Sequence, residues 1–399
     1  MLTPRDRRVV TAALLVGTFL SSLEVSVVGA AMPTVVADLG GLALFPLSFS
    51  AYLLAQTVST PAWGVVADRV GRRDTYVAGV LAFLAGSGVC ALAPSMDVLV
   101  AGRVVQGVGA GAIMPLTMTL FGDLWPVDAR ARLTGLFSIV WGVSALIGPL
   151  VGGLITDAIG WRGIFWMNLA PGLAAGAVVA WAVPRALGQG GVGLAGDWTS
   201  LLKDPTQQAV NGVGLLLGAA LYGFIGYLPV QVQGVRGGDA LAAGLALLPL
   251  SIAWTVASNV AGSLMIRVGF RFLVRLGTAV AATGAAMTLV SPDWMPALIV
   301  YGAGNGLAIA SLTVSAQEAA PQRLRGTATS IAMFSRSIGA AVGVQIYGLL
   351  AGFRPGAGSL AEVPDLGGGL ARVFAAVVIA GGGAALVAFL RFPAPAKEQ

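Results

Sequence analysis

Two charged residues stand deep inside long apolar stretches of the sequence, and their types suit proton chemistry. Glu24 lies within the apolar segment 10–32 and Arg103 within 98–121. A charge is costly inside a membrane, so such residues usually face a partner or a cavity and mark function. The chain contains no histidine, so proton chemistry must rest on carboxylates. We predict that Glu24 binds and releases a proton.

The composition indicates that these residues sit in a membrane protein. Of the 399 residues, 57% are apolar and 10% charged, with a mean hydropathy of +0.86. Soluble domains are about half apolar and a quarter charged. The absence of histidine also removes any His-based metal site. We find no nucleotide-binding loop or catalytic cluster, so we expect no enzyme activity, no metal and no cofactor.

Twelve apolar segments are long enough to cross a bilayer, which needs about 20 residues. Their predicted limits are 10–32, 43–67, 76–93, 98–121, 133–156, 163–184, 208–231, 239–265, 272–290, 295–317, 327–352 and 369–391. The first is too long for the apolar region of a signal peptide and is interpreted as a spanning helix. The predicted fold class is therefore an all-α polytopic membrane protein.

The basic residues predict the orientation of these spans, because cytoplasmic loops are rich in Lys and Arg. With the N-terminus in the cytoplasm, 17 of the 23 basic residues fall on that side and four on the other, while Arg103 and Arg336 lie inside spans. Both termini are thus predicted to be cytoplasmic in a bacterial-type inner membrane. The loop positions also account for the net charge of +6, and no nucleic-acid binding is expected.

The orientation places the two buried charges at similar depth. At 1.5 Å per residue, Glu24 lies roughly 21 Å from the cytoplasmic end of the first span. Arg103 lies about 8 Å from the outer end of the fourth span, in a core of ~30 Å. We therefore predict that Arg103 is at or near Glu24, where burial and the arginine act on its proton affinity in opposite directions. The alternative is a structural ion pair without a role in coupling.

The longest polar interruption divides the chain into two halves. Residues 185–207 form a predicted cytoplasmic linker between six-helix bundles at 1–184 and 208–399. A weak internal repeat supports this division, because the segment 64–72 after the second span resembles 262–271 after the eighth. Parallel repeats of six helices are expected of secondary transporters.

The loop after the second span carries a known signature. Gly64-Val-Val-Ala-Asp68-Arg69-Val-Gly71-Arg72-Arg73 resembles the major facilitator motif G-x-x-x-D-R-x-G-R-R. Its glycines permit a tight turn and close helix contact. The resemblance implies a cytoplasmic gate, with Asp68 facing the start of span eleven near residues 325–327 and an arginine of the loop paired with Asp123. The alternative is that these arginines only follow the positive-inside rule.

Two further motifs resemble the same superfamily. Arg103-Val-Val-Gln106-Gly107-Val-Gly109 matches R-x-x-Q-G-x-G, and Arg103 and Gln106 share one helix face. The fifth span matches the exporter signature G-x-x-x-x-x-G-P-x-x-G-G at Gly142, Gly148, Pro149, Gly152 and Gly153. Pro149 bends the helix and the glycines allow close packing. The resemblance therefore implies export.

Residues 33–40 and 161–171 resemble the QacA/EmrB-type drug:proton antiporter branch. This implies the major facilitator fold, two six-helix bundles around a central cavity, in a monomer. The chain differs from that branch in three respects: Glu24 stands where an aspartate is usual, twelve spans replace fourteen, and Ile266 replaces a repeated acid in the second-half loop.

The predicted cavity is lined by aromatic, polar and Met side chains, which suit amphipathic ligands of varied shape. These residues are Tyr52, Gln106, Met114, Trp141, Tyr222, Tyr227, Trp254, Asn305 and Phe334. Taken singly, each side chain is better explained by helix packing or by an interfacial aromatic belt than by a place in the cavity. Arg336 is a further buried charge whose partner the sequence does not reveal.

The sequence predicts a proton-coupled exporter of amphipathic drugs or other lipophilic small molecules that works by alternating access. Its expected partners are the small-molecule substrate, protons and the lipid bilayer, with the proton gradient as the energy source. The first alternative is a transporter or flippase of lipids or lipid-linked molecules. The second is a membrane sensor that transports nothing.

Overall fold

A computed structural model describes residues 3–185, 199–291, 293–321, 324–354 and 357–392, and the statements below concern these residues. For Pro4, Gly326 and residues 127–132, 134, 135, 138, 141 and 145 only the backbone is described. The predicted cavity residue Trp141 therefore lies outside the described side chains. So do residues 186–198 of the predicted linker.

The described residues form helices and contain no β-strand. The first half of the chain holds α1 (Pro4–Leu39), α2 (Phe45–Val70), α3 (Arg72–Ala91), α4 (Met96–Leu124), α5 (Val127–Ile159), α6 (Gly163–Trp166) and α7 (Leu169–Ala182). The second holds α8 (Thr199–Lys203), α9 (Pro205–Val230), α10 (Ala240–Val268), α11 (Phe270–Val290), α12 (Met295–Glu318), α13 (Arg325–Leu350) and α14 (Leu366–Arg391). Short 3₁₀ turns lie at Leu42–Leu44 and Leu360–Glu362, and a π-helical turn at Gln231–Val235.

Local sequence explains where several helices begin. Ser95 and Asp204 are N-caps whose side chains accept hydrogen bonds from the backbone N–H groups of Val98 and Gln207. Such caps satisfy orphan donors of the first turn. At the other end of α2, Gly71 adopts φ +110°, a conformation that favours glycine, and α3 begins at the next residue. The second and third helices are thus joined by a single residue.

Ten described segments are long and apolar enough to cross a membrane. They confirm the all-α polytopic prediction and match ten of the predicted spans. The other two predicted spans, 133–156 and 327–352, coincide with the helices α5 and α13. The exposed surfaces of the helices carry large apolar side chains, for example Trp181, Ile266 and Ile379, which are 76%, 89% and 75% exposed. A lipid-facing surface requires such residues.

The structure corrects the predicted continuity of the span 163–184. This segment is broken at Met167 and Asn168 into α6 and α7. Pro171 has no N–H and so cannot donate the helical hydrogen bond to Met167, four residues earlier. The predicted break between the seventh and eighth spans is confirmed, because a π-helical turn and residues 236–239 separate α9 from α10.

The chain contains two compact units. The first consists of Met1–Ala195 together with Val232–Leu245 and Phe353–Pro364. Its helices α1 to α7 pack through small residues. At Gly86 of α3, an added Cβ would meet the backbone of Gln106 on α4. Close approach of this kind is typical of membrane helices.

The second unit consists of Gly196–Gln231, Ala246–Gly352 and Asp365–Gln399. One of its clusters of buried apolar residues includes Val213 and Leu217 of α9, Val274 of α11 and Leu312 of α12. Gly269 joins α10 to α11 with φ +78°. This turn has the same construction as the Gly71 turn of the first unit, which supports the internal repeat seen in the sequence.

Candidate functional site

A buried ion pair joins two helices of the first unit. Arg103 of α4 donates from Nη1 to Oε1 of Glu24 on α1 over 2.6 Å. The arginine side chain is 0% exposed and the glutamate side chain 1%. The predicted proximity of these residues is therefore present in the structure. Two opposite charges removed from water need further hydrogen bonds to remain stable.

Those hydrogen bonds close a ring of five side chains. Nη1 of Arg103 also donates to Oε1 of Gln106 over 2.6 Å, and Nε2 of Gln106 donates to Ser87 Oγ over 3.0 Å. Nδ2 of Asn168 donates to both Ser87 Oγ and Glu24 Oε2 over 2.9 Å. Both carboxylate oxygens of Glu24 thus accept a hydrogen bond from a different helix or turn.

The helices place these groups by short-range rules. Arg103 and Gln106, three residues apart on α4, point to the same face. Gly86 lets α4 approach α3 closely and brings Gln106 against the neighbouring Ser87. Asn168 reaches the ring because it lies in the break between α6 and α7.

A tyrosine covers the arginine. The guanidinium carbon of Arg103 lies 4.2 Å from the ring centre of Tyr52 on α2, a cation–π arrangement. The Tyr52 hydroxyl donates to the carbonyl oxygen of Ser21 on α1 over 3.3 Å. Arg103 Nε donates to the Ser48 carbonyl oxygen over 3.3 Å. Tyr52, which the sequence predicts to line the cavity, thus holds the buried Arg103 guanidinium in place.

The exporter-type motif of α5 packs directly beside the acid. A Cβ on Gly148 would lie 2.6 Å from Cβ of Ser26, and one on Gly152 would lie 2.5 Å from the carbonyl oxygen of Val27. Gly153 packs in the same way against Ala240 and Leu241, within the first unit. Pro149 is buried and Gly142 is half-buried. The motif therefore determines how closely α5 approaches the α1 segment that follows Glu24.

The loop signature contains one of the predicted ion pairs. Arg72 forms a salt bridge with Asp123 at the end of α4, as expected. Arg73 is 3.5 Å from Asp74, Arg69 is exposed and Asp68 is half-buried. The predicted close contact at Gly64 is wrong for the described structure, because a Cβ there would meet nothing within 4 Å. The tight turn is made by Gly71 alone.

The remaining predicted cavity residues lie in different environments. Gln106 is part of the ring, Met114 is half-buried, and Tyr222 and Trp254 are half-buried in the second unit. Tyr227 and Asn305 are 0% exposed, and Phe334 is 41% exposed. The Tyr227 hydroxyl donates to the Val344 carbonyl oxygen over 2.7 Å. Their contribution to substrate binding stays a prediction.

Sequence reasoning missed two members of the ring, Ser87 and Asn168. Asn168 had a signal, because a polar amide at the start of an apolar span, three residues before Pro171, marks a helix break. Ser87 had none, since single serines are common in membrane helices. For Arg336, the structure shows close packing of its backbone on Gly218 of α9.

Fold and site together define a polytopic helical membrane protein with a buried carboxylate–arginine pair. The chain belongs to the Major Facilitator Superfamily, whose family model matches residues 14–344. It is a transporter of this family and not an enzyme. Within the described residues, no group of three or more potential metal ligands is present.

Sequence relatives and solved structures agree with this assignment. The chain is 29% identical to the multidrug transporter protein MdtP of Bacillus subtilis, over 88% of this chain and 76% of the relative. It is 28% identical to multidrug resistance protein 3 of the same species, over 85% and 78%. A bacterial homolog of the human lysosomal transporter Spinster has a similar fold, with a TM-score of 0.81 at 17% identity over 99% and 100% of the two chains.

Proposed function

We propose that this protein is a proton-coupled exporter of amphipathic drugs or other lipophilic small molecules. Glu24 is the proton-binding group, and substrate binding and protonation of Glu24 compete during alternating access. The direction of transport is export. The site lies in an inner membrane with both termini in the cytoplasm, and the proton gradient supplies the energy.

The single observation that carries the proposal is the ring around Glu24. The Glu24 carboxylate is 1% exposed, and each of its oxygens accepts a hydrogen bond from a separate donor. Burying an ionisable group in a membrane costs free energy, so such a residue usually has a function. The other spanning helices of the first unit carry no second acid away from their ends. Glu24 is therefore the carboxylate of these helices that we assign to proton exchange.

Two further facts support drug export as the activity. The relatives MdtP and multidrug resistance protein 3 are named for multidrug transport, and they align with most of this chain. The exporter-type motif of α5 packs on Ser26 and Val27 of α1, so a shift of α5 moves the helical turn that follows Glu24. The lipid-transport alternative has no comparable observation in its favour.

The proposal is tested in proteoliposomes with an imposed pH gradient. The wild type and Glu24→Gln are offered lipophilic cations, neutral drugs and labelled lipids, and substrate flux and proton flux are recorded together. We expect drug export to drive proton entry in the wild type. Glu24→Gln should bind the drug and exchange it without a gradient, but move no protons.

A matched control is Asp97→Asn, which neutralises an exposed carboxylate at the start of α4. This variant should couple drug and proton fluxes as the wild type does. Coupling that survives in Glu24→Gln would remove Glu24 from the mechanism. Movement of labelled lipids alone would contradict the drug substrate class and favour the lipid alternative.

A further inference from the structure

Only the nitrogen of the Asn168 side-chain amide forms hydrogen bonds. Its Nδ2 donates to Glu24 Oε2 and to Ser87 Oγ, both over 2.9 Å. Its Oδ1 is buried and has no hydrogen-bond partner in the described structure, and the residue is 0% exposed. A buried polar atom without a partner is rare and calls for an explanation.

The two partners of this amide can each reverse their hydrogen-bonding role. An ionised carboxylate only accepts, whereas a protonated one carries an O–H donor. A serine hydroxyl both donates and accepts. Ser87 Oγ accepts from Gln106 and from Asn168, so its own proton is free to be donated elsewhere.

Rotation of the Asn168 amide by half a turn exchanges its oxygen and nitrogen in nearly the same positions. Resting on the function proposed above, we propose that Asn168 is a positioning residue that matches the ring to the protonation state of Glu24. With Glu24 ionised, Nδ2 donates to Glu24 and Ser87. With Glu24 protonated, Oδ1 accepts the Glu24 O–H and the Ser87 O–H.

This exchange conserves every hydrogen bond of the ring. Gln106 continues to donate to Ser87 Oγ, and Arg103 continues to donate to Gln106 Oε1 and Glu24 Oε1. The amide atom that faces away from Glu24 is unbonded in both states, as the oxygen in the first and as the amino group in the second. The buried carboxyl can therefore gain and lose a proton without leaving a broken bond, which would otherwise cost stability.

The segment around Asn168 is held firmly enough for this role. Arg162 donates to Asp38 Oδ2 over 2.7 Å and to the carbonyl oxygen of Ala93 over 3.0 Å. Trp161 Nε1 donates to the same Asp38 oxygen over 3.0 Å. These bonds fix the turn that precedes α6, so the amide can rotate while the Cα of Asn168 stays in place.

Few other charged or titratable groups face Glu24. Besides Glu24 itself, Arg103 on α4 is the only formal charge in the ring, and Tyr52 on α2 lies over that arginine. Cys90 on α3 is a buried thiol. The helix α7 contains no charged residue, and the charges of α5 lie near its two ends. A substitution of Asn168 should therefore change the pH dependence of transport through its effect on Glu24.

The test measures the pH dependence of substrate exchange for Asn168→Leu, which keeps the size of the side chain and removes both amide atoms. We expect the midpoint to move by at least one pH unit, a tenfold change in proton affinity, because the hydrogen bond lost from the ionised carboxylate is charge-assisted and stronger than the one lost from the protonated form. Asn211→Leu is the control, since it replaces a half-buried amide of α9 in the second unit that bonds to Gln207, and its midpoint should match the wild type.

Infrared difference spectroscopy gives an independent signature. The C=O stretching band of protonated Glu24, identified by its loss in Glu24→Gln, should shift in Asn168→Leu because the acceptor of the carboxyl O–H is gone. In the Glu24→Gln background, Asn168→Leu should change the pH dependence no further. An unshifted midpoint or an unshifted band in Asn168→Leu overturns the proposal.

If Asn168→Leu does not fold, Ser87→Ala replaces it, because this change removes only the hydroxyl that the rotated amide needs. We expect a smaller midpoint shift in Ser87→Ala than in Asn168→Leu. If the midpoint of Ser87→Ala does not shift at all, the proposal is overturned. The two proposals fail in different ways. Retained coupling in Glu24→Gln contradicts the proposed function, whereas lost coupling there with a wild-type midpoint in Asn168→Leu contradicts only the role of Asn168.

Discussion

The α3–α4 pair of the first unit and the α11–α12 pair of the second are packed in the same way. In the first, Gly79 faces Gly109 and Gly86 faces the backbone of Gln106. In the second, Gly277 faces Gly304 and Gly284 faces the backbone of Tyr301. Each contact brings two helices to backbone distance, so Tyr301 occupies the place of Gln106.

We call this arrangement of glycines between paired helices the frame. The side chains next to the frame differ between the two units. Arg103 lies three residues before Gln106, and Leu298, 2% exposed, lies three residues before Tyr301. Around Tyr301 the second unit has aromatic rings: Phe224 stands 4.5 Å from it between centroids, and Phe374 stands 5.8 Å from Phe224. No acid occurs within α9, α10, α11, α13 or α14.

The difference shows that helix packing and chemistry are specified separately. Small residues at fixed spacing build the frame twice, whereas the ionisable ring is built once. An aromatic core needs no hydrogen bonds beyond those of its hydroxyl groups, and it packs the same frame without buried charge. We therefore expect the two units to respond alike to changes in the frame and differently to changes in charge.

The largest expected effect comes from breaking the buried pair. Arg103→Leu leaves Glu24 without its counter-charge and should destabilise the protein by about 3–5 kcal/mol. The double variant Glu24→Leu with Arg103→Leu should recover most of that loss, because apolar residues of similar volume replace buried pairs well. Thermal unfolding of purified protein measures both. A double variant as unstable as the single one would show that the ring is needed for folding itself.

The reverse change places the charge of the first unit in the second. Leu298→Arg buries a cation opposite no acid and should cost about 2.5–3.5 kcal/mol. The fraction of monodisperse protein and its melting temperature are the measurements, with Leu298→Met as the control that keeps an apolar side chain. Wild-type melting of Leu298→Arg would refute the claim that a cation at this position needs the partners that Arg103 has in the first unit.

A change to the shared frame should act equally on both units. Gly109→Ala and Gly304→Ala each add a Cβ that meets the backbone of the neighbouring helix, and overpacking of this kind costs about 1–3 kcal/mol. Their melting temperatures should fall by similar amounts. Gly64→Ala is the matched control, since a Cβ there meets nothing within 4 Å. Losses that differ strongly between the two would contradict a common frame.

The smallest expected effect belongs to the surface pair of the first unit. Arg72 and Asp123 are each 23% exposed, and exposed ion pairs contribute about 0–1 kcal/mol. Asp123→Asn should therefore lower stability by less than about 1 kcal/mol. A double-mutant cycle with Arg72→Gln gives the coupling energy. A larger value would mean that this pair stabilises the first unit as much as packing does.

Much of the fold was predictable because apolar length and glycine spacing are written in the sequence. Every predicted span except 163–184 lies largely within one continuous helix, and the turn at Gly71 follows from a glycine between two helical segments. The break at Asn168 was not predicted, because a short apolar interruption leaves hydropathy unchanged. The open surroundings of Gly64 were also missed, since a motif does not say which of its glycines carries a contact.

The residues of the candidate site also fall into those that the sequence predicts and those that only the tertiary structure brings together. The sequence by itself determined that Glu24 and Arg103 are buried charges at similar depth, because helical rise and apolar length fix how far along a span a residue lies. Only the tertiary structure decided that Ser87 and Asn168 complete the ring. Their positions depend on which helix faces touch, and that is set by packing between residues distant in the chain.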